Sequence, residues 1–151
     1  MEVYRMEKEG MAPELRAKLK GLLTQDESFR QFPYTDTIGN LTIGIGRNLI
    51  DRGISFNEAL YLLDEDISYF HNKLSTHLPF FLKLTENRQI ALINMCFTLG
   101  VQGFLNFRQM MLALECHDYE RAAKEMLDSK WAQQVGQRSE RLAHIMRTDT
   151  L

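Results

Sequence analysis

Residues 26–46 read DESFRQFPYTDTIGNLTIGIG, and this stretch decides the fold. It opens where a helical pattern stops, turns through Phe32-Pro33-Tyr34, and reaches the β-prone run Leu41-Thr42-Ile43-Gly44-Ile45-Gly46. Proline forces its predecessor toward extended backbone, so the helix must end before Pro33. Ile38-Gly39-Asn40 is a candidate hairpin turn, and Leu41 to Ile45 is the strongest strand signal of the chain. A small antiparallel sheet follows. Gly44 and Gly46 weaken a strand interior, and their usual meaning is a bulge or a close approach to the backbone.

Upstream, Pro13 suits a first helical turn, and Leu15, Leu19, Leu22 and Leu23 then share one face. The spacing predicts a helix from Pro13 to Asp26 or Glu27. Residues 1–10 carry mixed charge and little periodicity, and read as a loosely docked extension. Downstream, Ser55-Phe56-Asn57-Glu58 has the form of a capping box. Ala59, Leu62, Leu63, Ile67, Phe70 and Leu74 continue an apolar stripe to about His77, a helix of about six turns. Thr85-Glu86-Asn87-Arg88 opens another helix, expected to stop at Gly100. Phe104 to Leu114, Asp118 to Leu127 and Arg138 to Met146 read as shorter ones, with Gly103 and Gly136 as punctuation.

Composition bounds the function classes. The chain has 151 residues, 44% hydrophobic and 25% charged, the proportions of an ordered globular protein. A net charge of −2 gives no basic footprint for nucleic acid. No window approaches the roughly 20 apolar residues of a membrane span, and the charged N-terminal residues resemble neither a signal peptide nor an anchor. Cys96 and Cys116 match no metal or redox spacing and read as free, buried thiols. His71, His77, His117 and His144 show no metal-ligand spacing, and no cofactor is expected.

The chemistry lies in the opening stretch. Cleaving a glycosidic bond takes one carboxylic acid to protonate the leaving oxygen and a second carboxylate to activate water or attack the sugar. Glu27 at a helix end and Asp36 on a nearby turn are the natural pair. A helix C-terminus disfavours negative charge, as a proton donor requires, while Arg30 or a distant arginine could reverse this, so the sequence leaves the net sign open. Thr42 offers a hydroxyl to orient a water, though threonine is also an ordinary strand residue. Trp131 could stack on a sugar ring, but a lone tryptophan is more often core.

Asp26-Glu27, Tyr34-Thr35-Asp36-Thr37, Gly39 and Thr42-Ile43-Gly44-Ile45-Gly46 together resemble the catalytic signature of the phage-type lysozymes of glycoside hydrolase family 24, without a gap. The similarity extends to Ala91-Leu92-Ile93-Asn94-Met95-Cys96-Phe97, which looks like the family's central buried helix. It also takes in Ser129-Lys130-Trp131, Arg138, Arg141 and Arg147-Thr148. The resemblance implies an α+β, mainly helical fold of two lobes. After an extension (1–12), a first helix and small β lobe (13–54) would be joined by a long helix (55–77) to a helical lobe (78–151), against which the first helix would also pack.

It further implies Glu27 as general acid, Asp36 as the carboxylate that positions water, and Thr42 as the third catalytic group. Gly46, Phe97 and Ser129 would line the cleft, and Arg138 would ion-pair the catalytic glutamate. The implied reaction is inverting cleavage of the β-1,4 bond between N-acetylmuramic acid and N-acetylglucosamine in peptidoglycan, without metal or cofactor. Inversion sets the carboxyls roughly 6.5 to 9.5 Å apart. The implied protein is a monomer that accumulates in the cytoplasm and reaches the wall once a holin-like protein opens the membrane. A lytic transglycosylase using Glu27 alone, or a non-catalytic wall-binding module, are the rival readings. Against the T-even members, the segment between Gly46 and Ser55 is short, Arg47 stands where histidine is usual, and Phe107 and Glu125 replace polar residues.

Overall fold

A computed structural model describes residues 10–151. The extension expected for residues 1–10 lies, but for Gly10, outside the described residues. The chain divides into two compact units, the first ending at Ala59 and the second comprising Leu60–Leu151.

The first unit holds helix α1 (Pro13–Glu27) and strands β1 (Arg30–Thr35), β2 (Leu41–Gly44) and β3 (Arg47–Asn48). Pro13 occupies the first turn of α1, where its missing N–H costs nothing. The expected leucine stripe forms but buries none of its members: Leu15, Leu19, Leu22 and Leu23 remain 50%, 37%, 57% and 50% exposed. The chain leaves α1 sharply. Ser28 takes φ +60° and donates its N–H to the Thr24 carbonyl at 3.2 Å.

The three strands form one antiparallel sheet in the order β1-β2-β3, with Tyr34 opposite Thr42 and Ile43 opposite Arg47. Pro33 lies inside β1 rather than before it. It is tolerated because β1 is an edge strand whose register shifts between Arg30 and Tyr34. The β1–β2 turn spans Asp36 to Asn40, with Gly39 at φ +92°.

Helix α2 (Phe56–His77) starts in the expected capping box: the Glu58 N–H donates to Ser55 Oγ at 3.2 Å, and the Ser55 N–H donates to Glu58 Oε2 at 2.7 Å. Beyond it the second unit is helical: α3 (Glu86–Leu105), α4 (Arg108–Glu115), α5 (Tyr119–Leu127), α6 (Lys130–Val135) and α7 (Gln137–Thr148). Helix α7 packs against α3, α5 and α6, and α4 packs against α5. Ala91, Leu92, Met95 and Cys96 of α3 are fully buried and meet Phe104, Met110, Leu114, Met126 and Met146 in the core.

Three expectations need correction. Helix α3 does not end at Gly100; the backbone breaks there at φ +70° and resumes to Leu105, so Phe104 belongs to α3 and α4 begins at Arg108. Helix α6 was not expected, being six residues capped by Ser129 with too few turns to show a stripe. Cys116 is exposed, whereas Cys96 is buried; both thiols are free. Burial pushes the Cys96 thiol up to about 11. The architecture is α+β and mainly helical, as expected.

Candidate active site

Glu27 is the last residue of α1, and the turn at Ser28 carries the chain directly into β1. A non-glycine residue at positive φ is strained, at a cost on the order of 1–3 kcal/mol, and such strain gathers at functional sites. Gly46, just before β3, also has positive φ, at +68°. A Cβ built on Gly46 would stand 2.7 Å from the Glu27 carboxyl carbon and 2.8 Å from its Oε2. The Glu27 carboxyl thus rests on the Gly46 backbone. This is the close approach that the glycine pattern anticipates, at a position where any side chain would displace the acid.

Asp36 begins the β1–β2 turn and holds it. Its Oδ1 accepts the N–H of Asn40 at 2.8 Å and of Ile38 at 3.0 Å, and its Oδ2 accepts the Asn40 side-chain amide at 3.3 Å. The Asn40 N–H is the main influence that lowers the Asp36 carboxyl below its ordinary range; partial burial opposes it, and the Ile38 N–H and the Asn40 side chain add to it. Asp36 is therefore held in its charged, proton-accepting form. One oxygen is committed to the turn, while the other has a single long contact.

Thr42 is buried in β2 and donates its hydroxyl proton to the Asn40 carbonyl at 3.2 Å. The same carbonyl accepts the Asp36 N–H at 2.9 Å. Asn40 therefore ties Asp36 and Thr42 together through backbone and side chain. Its turn-forming character is readable from sequence, but its bridging role requires the folded hairpin. With its proton given to Asn40, the Thr42 oxygen keeps lone pairs to receive a water.

The second unit contains Phe97, Ser129 and Arg138. The Arg138 Nε donates to Asn94 Oδ1 at 2.8 Å, and both residues line a pocket of about 300 Å³ with Leu63, Ile67, Ile90, Ile93 and Phe97. Ser129 Oγ donates to the Met126 carbonyl at 2.7 Å and accepts the Ala132 N–H at 3.1 Å, which makes it the cap of α6. Trp131 is buried, with Nε1 donating to Thr98 Oγ1 at 2.8 Å, and so belongs to the core rather than to a sugar platform. Among the described residues, no three of His, Cys, Asp and Glu converge as metal ligands.

A second group in the first unit was not read from sequence as part of the site. Arg47, next to Gly46, meets Glu58 in a two-pronged pair: Nη2 to Oε1 at 2.5 Å and Nη1 to Oε2 at 2.9 Å. The guanidinium holds the Glu58 carboxyl down to about 2, the Ser55 N–H assisting and burial opposing.

The family model described as phage lysozyme matches residues 24–147, a span that begins just before Glu27 and ends in α7. The chain belongs to the phage lysozyme family. This is a family of peptidoglycan hydrolases. The chain is 31% identical to a probable T4-type lysozyme 1 of Dictyostelium discoideum, over 89% of this chain and 96% of that protein. A second Dictyostelium discoideum protein, probable T4-type lysozyme 2, is 29% identical over the same shares. The pre-baseplate central spike protein Gp5 of Enterobacteria phage T4 is 30% identical over 86% of this chain, but the match covers only 28% of that longer protein. Family membership accords with the small sheet and helical remainder, and with the phage-type resemblance of the residue 26–46 signature.

Proposed function

We propose that the protein hydrolyses the β-1,4 bond between N-acetylmuramic acid and N-acetylglucosamine in peptidoglycan, with Glu27 as general acid and Asp36 and Thr42 placing the water. The observation that carries this reading is the Glu27 carboxyl seated on Gly46 in a unit that also joins Asp36 to Thr42 through Asn40. Glu27 would give its proton to the glycosidic oxygen as the bond to the anomeric carbon breaks. Asp36 would take a proton from a water whose oxygen attacks that carbon from the opposite face, inverting it. The Thr42 oxygen would accept a hydrogen bond from that water and fix its direction. Phe97, Ser129 and Arg138 enter the reading through the family resemblance, Arg138 as the partner of the acid.

A phage-encoded lytic enzyme acting after a holin-like protein opens the membrane is the cellular setting that suits this activity. No single helix among the described residues is long and apolar enough to cross a membrane. The relative named as a central spike protein supports a second reading, in which the domain serves a larger assembly and binds wall without cleaving it.

The test is clearing of a peptidoglycan suspension, with products analysed by mass spectrometry. Wild type is expected to clear it and leave reducing muramic ends, and Glu27→Gln to clear nothing while keeping its circular dichroism and melting temperature. Equal clearing by Glu27→Gln rejects the assignment. Anhydro-muramic products, with Asp36→Asn at full rate, mark a transglycosylase; wall binding without clearing by wild type marks the non-catalytic module.

A further inference from the structure

We infer that Arg47 and Glu58 are positioning residues for the hydrolytic site: their two-pronged pair fastens the Gly46 turn to the first turn of α2 and thereby fixes the surface on which the Glu27 carboxyl rests. The inference depends on the function proposed above for Glu27. Gly46 supplies that surface, since a Cβ there would meet the Glu27 carboxyl at 2.7–2.8 Å. Gly46 has glycine's freedom to move, and its sheet neighbours are short: β3 is only Arg47–Asn48 and pairs with β2 at two positions. Two ladder positions leave a turn at φ +68° weakly held. The side chain of the next residue supplies what the ladder lacks.

Arg47 donates twice to Glu58 and once, from Nη1, to the Gly53 carbonyl at 2.9 Å. Glu58 cannot swing away, because its Oε2 also accepts the Ser55 N–H at 2.7 Å within the capping box. The acid that starts α2 thus serves as the post for the turn beneath Glu27. A capping box is complete with serine and glutamate alone, so the guanidinium is an addition to it. The pair is also partly exposed, with Arg47 and Glu58 side chains 30% and 39% accessible. Pairs of that exposure add little to folding stability. What this one supplies is a fixed direction, because a planar fork on a carboxylate admits one orientation.

The variants that separate positioning from stability are Arg47→Lys and Glu58→Gln. Lysine keeps the charge but loses the fork; glutamine keeps an oxygen for the Ser55 N–H but loses the charged pair. Each is expected to lower kcat on a soluble peptidoglycan fragment about tenfold, the scale of a modest misplacement of a catalytic group, with KM within about twofold. The double variant is expected to lose no more than either single, since both remove one contact. Full kcat in both singles at a lowered melting temperature overturns the inference, as does a rise in KM at unchanged kcat or multiplicative losses in the double. Glu27→Gln, run in the same assay, separates the two claims. If it is active, the hydrolytic reading fails; if it is inactive while Arg47→Lys and Glu58→Gln turn over as wild type, only the positioning role fails.

Discussion

Gly46 and Gly39 both have positive φ, yet they differ in what a methyl group would meet. At Gly39 nothing lies within 4 Å, whereas at Gly46 the Glu27 carboxyl does. Alanine at either site carries the left-handed penalty of about 1–2 kcal/mol. Only at Gly46 does it also push the acid. Gly39→Ala and Gly46→Ala are therefore expected to lose similar stability in urea titration, with wall clearing lost only in Gly46→Ala; equal loss of clearing would assign the effect to sheet strain. Asp36 gives a pH test. Its carboxyl sits below the ordinary value of 3.8, so its contribution to stability is present above that value and is lost as pH falls through the lower, folded-state value. Asp36→Asn removes that increment of acid sensitivity, read as a shallower fall in melting temperature below about pH 4. At this scale the proposed roles of Glu27, Asp36 and Thr42 come from the resemblance of their stretch to the family signature, while the sheet that carries Asp36 and Thr42 is legible from the turn and strand residues themselves. Asn40 as a bridge and Arg47 with Glu58 as a clamp are not, since each acts on atoms that only the folded hairpin and the start of α2 bring near.

Elements whose ends are set by adjacent residues are also legible. Ser55 and Glu58 lie within one turn, so the start of α2 follows from the chain itself, as does the stop of α1 ahead of Pro33. Gly100 misleads because tertiary packing lets α3 resume past a broken turn: Phe104, beyond the break, is fully buried in the core. Helix α6 is too short to carry a period, but its Ser129 cap makes the reading testable. Ser129→Ala should cost about 1 kcal/mol, and Ser129→Asp should restore most of it, because aspartate also caps. Clearing activity that follows stability in both variants identifies Ser129 as a cap; activity lost in Ser129→Asp despite restored stability identifies a sugar contact. Arg88 links three helix ends in a way no local pattern shows. Its guanidinium lies 3.6 Å from the Tyr119 ring centre, and its Nε donates to the Met146 carbonyl at 2.9 Å. Its Nη1 stands 3.6 Å from Asp149 Oδ2.

At the scale of the molecule, burial among the described residues is divided unequally between the two units. Among the described residues, all the buried hydrophobic ones, from Leu74 to Met146, fall in the second unit, and in the first Thr42 alone is buried. Apolar burial is the main term that opposes conformational entropy, so a segment without it opens at lower free energy. The strands of the first unit rely instead on a short ladder and the Asp36 turn, each partly reached by water. Native-state hydrogen exchange is therefore expected to show two tiers. Amides of Thr42 and Ile43 should exchange through an opening of a few kcal/mol, and those of Leu92 and Met95 only near the global unfolding limit. Gly39→Ala should lower the first tier and leave the second unchanged, because it strains the β1–β2 turn at φ +92° without touching the core. Identical protection in both tiers would mean that the sheet unfolds only with the helical core, and that its stability comes from something other than its own contacts. The division also bears on chemistry, since the proposed acid and water-placing groups occupy the less buried unit, where the strained Ser28 is held by its N–H bond to the Thr24 carbonyl rather than by packing.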